Sequence, residues 1–320
     1  MSYAKIMGTG SYLPEKILTN ADLEKMLDTT DEWIRERSGI IQRHVAADHE
    51  TSSSMAEQAA LKALEAAGMS AKDIDLIVVG TVTPDKVFPS TACLLQERLG
   101  VGSCIAFDVN AVCSGFIYAF SIADQFIKSG AVKTALVIGS ETLTRMLDWN
   151  DRSTCVLFGD GAGAVILQAS DQAGVYSTHL HADGRYKDLL HVPSFLPIQR
   201  KPGEEPFLHM EGREVFKIAV TELGNLVDET LSKNNIPQSA IDWLIPHQAN
   251  KRIIMATAKK LGLAEEKVII TVAEHANTSA ASVPLALDAG IRDGRIKRGD
   301  LLLLEAFGGG LTWGSALVKY

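Results

Sequence analysis

Three residues have side chains suited to carbonyl chemistry and stand at comparable places in the chain: Cys113 in "DVNAVCSGFIYAF", His247 in "PHQAN" and Asn277 in "EHANTSAAS". Cys113 precedes a long apolar run and is flanked by Ala111, Ser114 and Gly115, which leave room for a substrate carbonyl. A thiol at a helix N-terminus meets unpaired backbone N–H groups and the positive end of the helix dipole. Both favour the thiolate, the nucleophilic form. His and Asn side chains can both donate hydrogen bonds to an oxygen that becomes negative, and neither needs a charge to do so. The glycines of "FGGG" from Phe307 let backbone approach such a site and expose an amide. Taken singly, each residue has a plainer reading. A cysteine at an apolar helix start is usually packing, a histidine after a strand is structural, and an asparagine before Thr-Ser is a helix cap.

The elements that would position these residues repeat. Cys113 and Asn277 are separated by 277 − 113 = 164 positions, and the same offset pairs Asp124 with Asp288, Ile127 with Ile291 and Gly130 with Gly294. It also pairs Lys133 with Lys297 and Glu141 with Glu305. Each copy reads as a helix, a glycine stop, a charged turn and an apolar strand: "ALVIGSE" in one, "LLLLEAF" in the other. Upstream, "DIDLIVVGT" matches "AIDWLIPHQ", again a strand after an Ile-Asp turn. Duplication would set the two helix starts face to face, with the strand carrying His247 ending near them. Helical spacing recurs in "SSSMAEQAALKALEAAG" and "EGREVFKIAVTELGNLVDETL", and the C-terminal "LLLLEAFGGGLTWGSALVKY" reads as two strands joined through glycines. The stretch Arg185 to Pro206, with Pro193, Pro197, Pro202 and Pro206, reads as a loop excursion. The whole is an alternating α/β pattern in one pseudo-symmetric body.

Bulk properties narrow the function. The 320 residues carry a net charge of −8, which argues against a general nucleic-acid or anionic-membrane binder. The apolar stretch Val112 to Ile127 is interrupted by Asp124 and is short for a membrane span. Cys93, Cys104, Cys113 and Cys155 form no CxxC pair or zinc spacing, and "MSYAKIMGTG" has no basic apolar signal. A reduced, soluble, cytoplasmic protein is expected. "GTGSYL" lacks the third glycine and following helix of a dinucleotide loop, and "FGDGAGAVIL" lacks the Lys-Ser/Thr of a P-loop; close strand packing explains both better. His44, His49, His179, His181, His191 and His209 read as surface or loop residues. His179 and His181 could face a metal together only on a strand, and no carboxylate partner is evident, so no metal site is expected.

"GTGSYLP", "DEWI", "GDGAGA", "HADG", "PHQAN", "NTSAAS" and "EAFGGGLTWGSAL" together carry a resemblance over essentially the whole chain. The chain resembles β-ketoacyl-acyl carrier protein synthase III, a condensing enzyme of the thiolase superfamily. "VNAVCSG" and "EHANTS" differ slightly from that family's commonest wording. The resemblance implies a thiolase-like α-β-α-β-α fold with halves at 1–170 and 171–320. It implies the catalytic trio Cys113, His247 and Asn277, and an oxyanion hole from the amides of Cys113 and Gly309. Related thiolases use a second cysteine and elongating synthases a second histidine. Asn277 argues against both, and the nearby His275 is not that histidine.

The implied reaction transfers the acyl group of an acyl-CoA, acetyl-CoA foremost, to Cys113. Malonyl-acyl carrier protein then condenses with loss of carbon dioxide, with no metal or organic cofactor. By the same resemblance, Trp33 and Arg152 would sandwich the CoA adenine and Arg37 would meet its phosphates. Gly212, Phe216 and Asn250 would line the phosphopantetheine arm, and Phe307, Leu157 and Leu190 would bound the acyl pocket. Phe88 would reach across a homodimer. Arg252, Lys259 and Lys260, on the helix "ANKRIIMATAKKLG", would meet the acidic carrier protein. Two other readings stand beside this one: a related condensing enzyme taking another acyl-CoA, and a noncatalytic partner subunit, which would be expected to lose the nucleophile that Cys113 supplies.

Overall fold

The computed structural model describes residues 3–194, 203 and 205–320, so Pro197 and Pro202 of the proline-rich stretch lie outside the described residues. In chain order the strands are β1 (Tyr3–Tyr12), β2 (Ile17–Thr19), β3 (Gln42–His44), β4 (Leu76–Gly80), β5 (Ile105–Val109), β6 (Thr134–Glu141) and β7 (Gly161–Ser170). There follow β8 (Val175–Ala182), β9 (Leu190–His191), β10 (His209–Met210), β11 (Trp243–Pro246), β12 (Leu301–Gly308) and β13 (Thr312–Lys319). The helices are α1 (Asn20–Leu23), α2 (Asp31–Ser38), α3 (Ser52–Ala67), α4 (Thr91–Arg98) and α5 (Gly115–Lys128), then α6 (Gly212–Asn234), α7 (Lys251–Lys260), α8 (Val272–His275) and α9 (Ser282–Arg292).

Two sheets carry the body, in the orders β1-β7-β6-β4-β5 and β11-β12-β13-β8. Within the first, β4 runs parallel to β6 and β6 antiparallel to β7; within the second, β11 runs parallel to β12 and β12 antiparallel to β13. The counterpart of β5 has shrunk to one parallel bridge, Leu244 to Val268. The Ile-Asp turns recur for a physical reason. Asp75 accepts the N–H groups of Lys133 and Thr134 at 2.8 and 3.0 Å, and Asp242 accepts that of Leu301 at 2.8 Å, each carboxylate tying one strand's entry to its neighbour's.

The helices α5 and α9 lie between the sheets. Phe116, Ile117 and Phe120 of α5 and Val283, Ala286 and Leu287 of α9 share one buried cluster with residues of both sheets. Outside, α3 packs on the first sheet, and α6 and α7 on the second, giving the thiolase-like five-layer order. "GTGSYL" is strand, and its glycines serve helix packing: a Cβ on Gly8 or Gly10 would fall 2.4 or 2.2 Å from the carbonyl oxygen of Ala63 or Ala59 in α3. Thr51, rather than the following serines, caps α3, and Gly68 ends it at φ +65°. The proline-rich stretch is less irregular than expected, because β9 within it pairs with β10.

The repeated glutamates Glu141 and Glu305 are both fully buried. Glu141 accepts several hydrogen bonds, whereas the side-chain partner of Glu305 is Thr257, and among the described residues neither Glu305 oxygen is in a well-formed bond. Burial raises the Glu305 carboxyl from its ordinary 4.5 to about 8. The folded protein then keeps a proton that the unfolded chain has released, so stability falls as pH rises from about 4.5 to about 8. The slope approaches about 1.4 kcal/mol per pH unit. Glu305→Gln, which cannot ionise, is therefore expected to lose less melting temperature than wild type between about pH 6 and 9. Equal declines of the two proteins in calorimetry would show that Glu305 is not held neutral by burial.

Candidate active site

The turn carrying Cys113 is a single 3-10 turn, Val112–Ser114, that runs into α5. The matching turn, Ser279–Ala281, runs into α9 just after Asn277. The residue before each key position has a left-handed backbone, Val112 at φ +48° and Ala276 at φ +57°, so the 164-residue correspondence holds in conformation as well as order. Such values are costly for non-glycine residues and cluster at sites the surrounding structure fixes.

Cys113, His247 and Asn277 line one narrow cavity of about 100 Å³ and are 4%, 6% and 7% exposed. The His247 amide donates to the Glu305 carbonyl at 2.8 Å, which fixes the backbone where β11 ends. The next residue, Gln248, rivets the loop: its amide group donates to Pro246 and Ile269 carbonyls and its oxygen accepts the Thr271 and Val272 N–H groups. His247 Nδ1 lies 2.6 Å from the Ser282 hydroxyl, which also accepts the Gln248 N–H at 3.4 Å. With the Ser282 proton directed at Nδ1, the neutral ring carries its own proton on Nε2, toward the cavity. Burial pushes the imidazole down to about 3, and it is neutral at ordinary pH. Asn277 is held by backbone bonds to Leu157 and Gly159, and its Oδ1 accepts the Ser279 N–H at 2.9 Å. The amide oxygen is thus engaged locally, and the NH₂ group is the part suited to donate to a ligand.

The thiol departs from the expectation of a ready thiolate. Burial pushes Cys113 up to about 12, with the ionised Glu141 carboxylate adding to the rise and the Ser279 hydroxyl opposing it. Desolvation outweighs the helix start. Beside the thiol, a Cβ on Gly308 would come within 2.7 Å of the Cys113 nitrogen, so that position admits only glycine. Gly309 follows directly and packs against Leu190 and Val112, while the Thr312 hydroxyl lies 3.0 and 3.1 Å from the carbonyls of Ala111 and Gly309, which share its one proton. A soft nucleophile, a neutral imidazole N–H and an amide N–H₂ thus face one enclosed space. The set suits attack on a thioester and stabilisation of an enolate.

Relatives share this architecture along the full chain. Family models described as 3-oxoacyl-[acyl-carrier-protein (ACP)] synthase III, and its C-terminal part, match residues 107–184 and 231–320. The β-ketoacyl-[acyl-carrier-protein] synthase III of Thioalkalivibrio sulfidiphilus is 62% identical, with 100% of each chain covered. The solved 3-oxoacyl-[acyl-carrier-protein] synthase III of Aquifex aeolicus superposes with a TM-score of 0.94 at 49% identity, over 99% of this chain and 100% of that one. That of Pseudomonas aeruginosa gives 0.94 at 40% identity, over 99% and 98%.

The chain belongs to the β-ketoacyl-[acyl-carrier-protein] synthase III family.

Of the further residues that membership of this synthase family brings into question, Leu157, Leu190, Gly212, Phe216, Asn250 and Phe307 line the same cavity as the trio. Trp33, Arg37 and Arg152 do not line it and form a separate stack: the guanidinium carbons of Arg37 and Arg152 lie 4.4 and 5.6 Å from the Trp33 ring centroid. Asn250 joins that stack to the cavity, because it caps α7 through the Arg252 N–H and donates to the Arg37 carbonyl at 2.7 Å. On α7, Ile254, Ala258 and Leu261 are buried as their spacing requires. Arg252, Lys259 and Lys260 are exposed; Arg252 covers Phe216, and Lys260 is paired with Asp228 at 2.6 Å. Phe88 is 83% exposed and outside the cavity.

His275 also lies outside the cavity, packed against His44. His179 and His181 do share a strand, and both approach Glu229 of α6, a carboxylate that sequence reading did not find. Among the described residues no group of three or more His, Cys, Asp or Glu could hold a metal ion. Sequence reading also passed over Ser279 and Ser282, although "NTSAAS" places both at the start of the second inner helix. Their relation to Asn277 and His247 emerges only when β11 and α9 are brought together.

Proposed function

We propose that this chain catalyses the decarboxylating condensation of an acyl-CoA, acetyl-CoA foremost, with malonyl-acyl carrier protein, initiating fatty acid synthesis. The observation that carries this reading is the convergence of Cys113, His247 and Asn277 on one buried, narrow cavity. Cys113 would attack the thioester carbonyl and release CoA, keeping the acyl group. Malonyl-acyl carrier protein would then enter by the same path, and loss of carbon dioxide would leave an enolate. The Nε2–H of His247 and the NH₂ of Asn277 would hold the enolate oxygen, and its carbon would attack the acyl-cysteine. The amides of Cys113 and Gly309 would receive the thioester oxygen. Carbanion formation by decarboxylation needs neither metal nor organic cofactor.

The cavity is narrow enough to exclude bulky substrates yet mostly apolar, which suits a phosphopantetheine arm shared by both substrates. Gly212, Phe216 and Asn250 would meet the arm, and Phe307, Leu157 and Leu190 the acyl chain. Trp33 and Arg152 would part to admit the adenine, with Arg37 toward the phosphates. We read residues 1–170 and 171–320 as two halves of one duplicated body, a reading supported by the matching strand orders. No described helix is long and apolar enough to cross a membrane, and we place the reaction in the cytoplasm. We also propose a homodimer. Val87 and Phe88 are 84% and 83% exposed, and β5 is an edge strand with Ile105 41% exposed, surfaces that a second copy would cover.

Incubation with acetyl-CoA followed by digestion and mass analysis is expected to place one acetyl group on Cys113. A label on Cys93, Cys104 or Cys155 with Cys113 bare would overturn the assignment. Asn277→Ala is expected to keep acetylation but to slow carbon dioxide release by about 10²–10³, the usual effect of losing one preorganised donor. Loss of acetylation with decarboxylation intact would reverse that role. Arg252→Glu is expected to weaken use of malonyl-carrier protein more than acetylation, and high salt should narrow the difference; equal losses would assign Arg252 to the shared tunnel. Phe88→Asp should shift sedimentation from dimer toward monomer, and an unchanged dimer would remove Phe88 from the interface.

A further inference from the structure

Glu141 ends β6 beneath the cavity, fully buried, and the reaction scheme above leaves it unused. Its carboxylate accepts the Thr83 hydroxyl at 2.7 Å, the Val82 N–H at 3.2 Å and the Ser279 hydroxyl at 3.1 Å. The same Ser279 hydroxyl acts on the Cys113 thiol, lowering its pKa against the desolvation, and the turns that carry the two residues pack against each other. A hydroxyl has one proton. When that proton lies toward Glu141, Ser279 must accept from the thiol. When it lies toward the sulfur, the sulfur is a thiolate and the carboxyl must supply a proton to the hydroxyl oxygen. The three groups therefore form a line along which one proton can shift.

We infer that Ser279 and Glu141 form a proton relay that deprotonates Cys113 for acylation. The inference rests on the acyl-cysteine reading above and adds to it the destination of the thiol proton. In acylation the S–H bond of Cys113 breaks and its proton passes to the Ser279 oxygen, while the Ser279 proton passes to Glu141. The sulfur forms its bond to the acyl carbon, and CoA leaves as a thiolate that takes a proton from solvent. Glu141 stays neutral while Cys113 is acylated. When the enolate carbon attacks, the C–S bond breaks and Cys113 departs as thiolate. The Glu141 proton then returns through Ser279 and the thiol is restored. One solvent proton is consumed per turnover, by CoA.

Three further observations support the relay. The groups facing Glu141 are the Thr81 and Thr83 hydroxyls, the Val82 N–H, Ser279 and Cys113, and among these Cys113 alone titrates. Among the described residues no fixed cation holds the carboxylate ionised, and desolvation raises it to about 7, where it can both take and return a proton. The neighbouring imidazole is a poor alternative base, since burial has depressed it to about 3. Finally, the repeat supplies an internal comparison. Glu305 is the counterpart of Glu141, and the counterpart of Ser279 is 279 − 164 = 115, which is Gly115. In the half without the serine, the glutamate's side-chain partner is Thr257, and no titrating thiol is named beside it. Ser279 also has a left-handed backbone, φ +49°, a costly conformation for serine that glycine would relieve.

The test is single-turnover acetylation by acetyl-CoA across neutral pH. Wild type is expected to accelerate as Glu141 ionises, through about pH 7. Ser279→Gly, which suits the backbone but removes the hydroxyl, and Glu141→Gln are each expected to slow acetylation by about 100-fold or more and to flatten that limb. Wild-type rates in both variants would overturn the relay, as would a slower reaction with the limb intact, which is what a structural role alone would give. Infrared difference spectra of the wild type provide a readout that does not depend on the variants folding. A protonated-carboxyl band should appear on acetylation, and its absence would also overturn the relay. If wild type takes no acetyl group on Cys113 at all, the acyl-cysteine reading fails; if it does so without the pH limb or the band, only the relay fails.

Discussion

The site depends on backbone packing directly against backbone where the two inner helices begin. A Cβ on Gly139 would fall 2.2 Å from the Ala280 oxygen, one on Gly80 would fall 2.5 Å from the Gly115 carbonyl carbon, and one on Gly308 would fall 2.7 Å from the Cys113 nitrogen. Each contact presses a sheet strand onto one of the turns bearing Cys113 or Asn277. No side chain separates the parts, so no rotamer change can loosen them. The left-handed residues Val112 and Ala276 lie in the same crowded region, directly before Cys113 and Asn277. Reactive groups that need placement within a fraction of an ångström are thereby fixed by main chain.

The second organising property is the lack of permanent charge at the reactive groups. The imidazole is held neutral, the thiol is held protonated, and the nearby carboxyl titrates close to neutrality. In a dry cavity a fixed ion would require a partner or would shift its protonation to avoid the cost. In the proposed reaction Glu141 is ionised in the form ready to react, and the other charges arise only during reaction, on an oxygen or a sulfur facing donors that are already in place. The positive groups Arg37, Arg152 and Arg252, which we propose meet the anionic substrates, are exposed and so carry no desolvation cost.

Much of this was legible in the sequence because the pattern occurs twice. The offset linking Cys113 to Asn277 named two helix starts, and the recurring Ile-Asp turn marked β4 and β11 in advance. Ile254 and Ala258 of α7 and Leu261 at its end stand at the spacing of one helix face, and all three are buried. Interactions across the halves were not legible. Nothing local links Ser279 to Glu141, 138 residues away, or His247 to Ser282, 35 away. Nor could the desolvation of Cys113 be read from its neighbours, since the walls that bury it come from several distant segments. Helix-start reasoning therefore favoured a thiolate, where the enclosed structure holds a thiol.

The inner helix α5 has a further consequence for how the protein is made. One face of α5 packs on β4 and β6, and another meets β8, β12 and β13. The first sheet can form early in synthesis, but the strands that cover the other face belong to chain made much later. Until then Phe116, Ile117 and Phe120 have only part of their native surroundings. A nascent chain paused in this interval would display an apolar helix with no cover, the kind of surface that chaperones hold and that neighbouring nascent chains join. The same layering that encloses the cysteine in the finished molecule thus makes the ribosome-bound half-product its most vulnerable form.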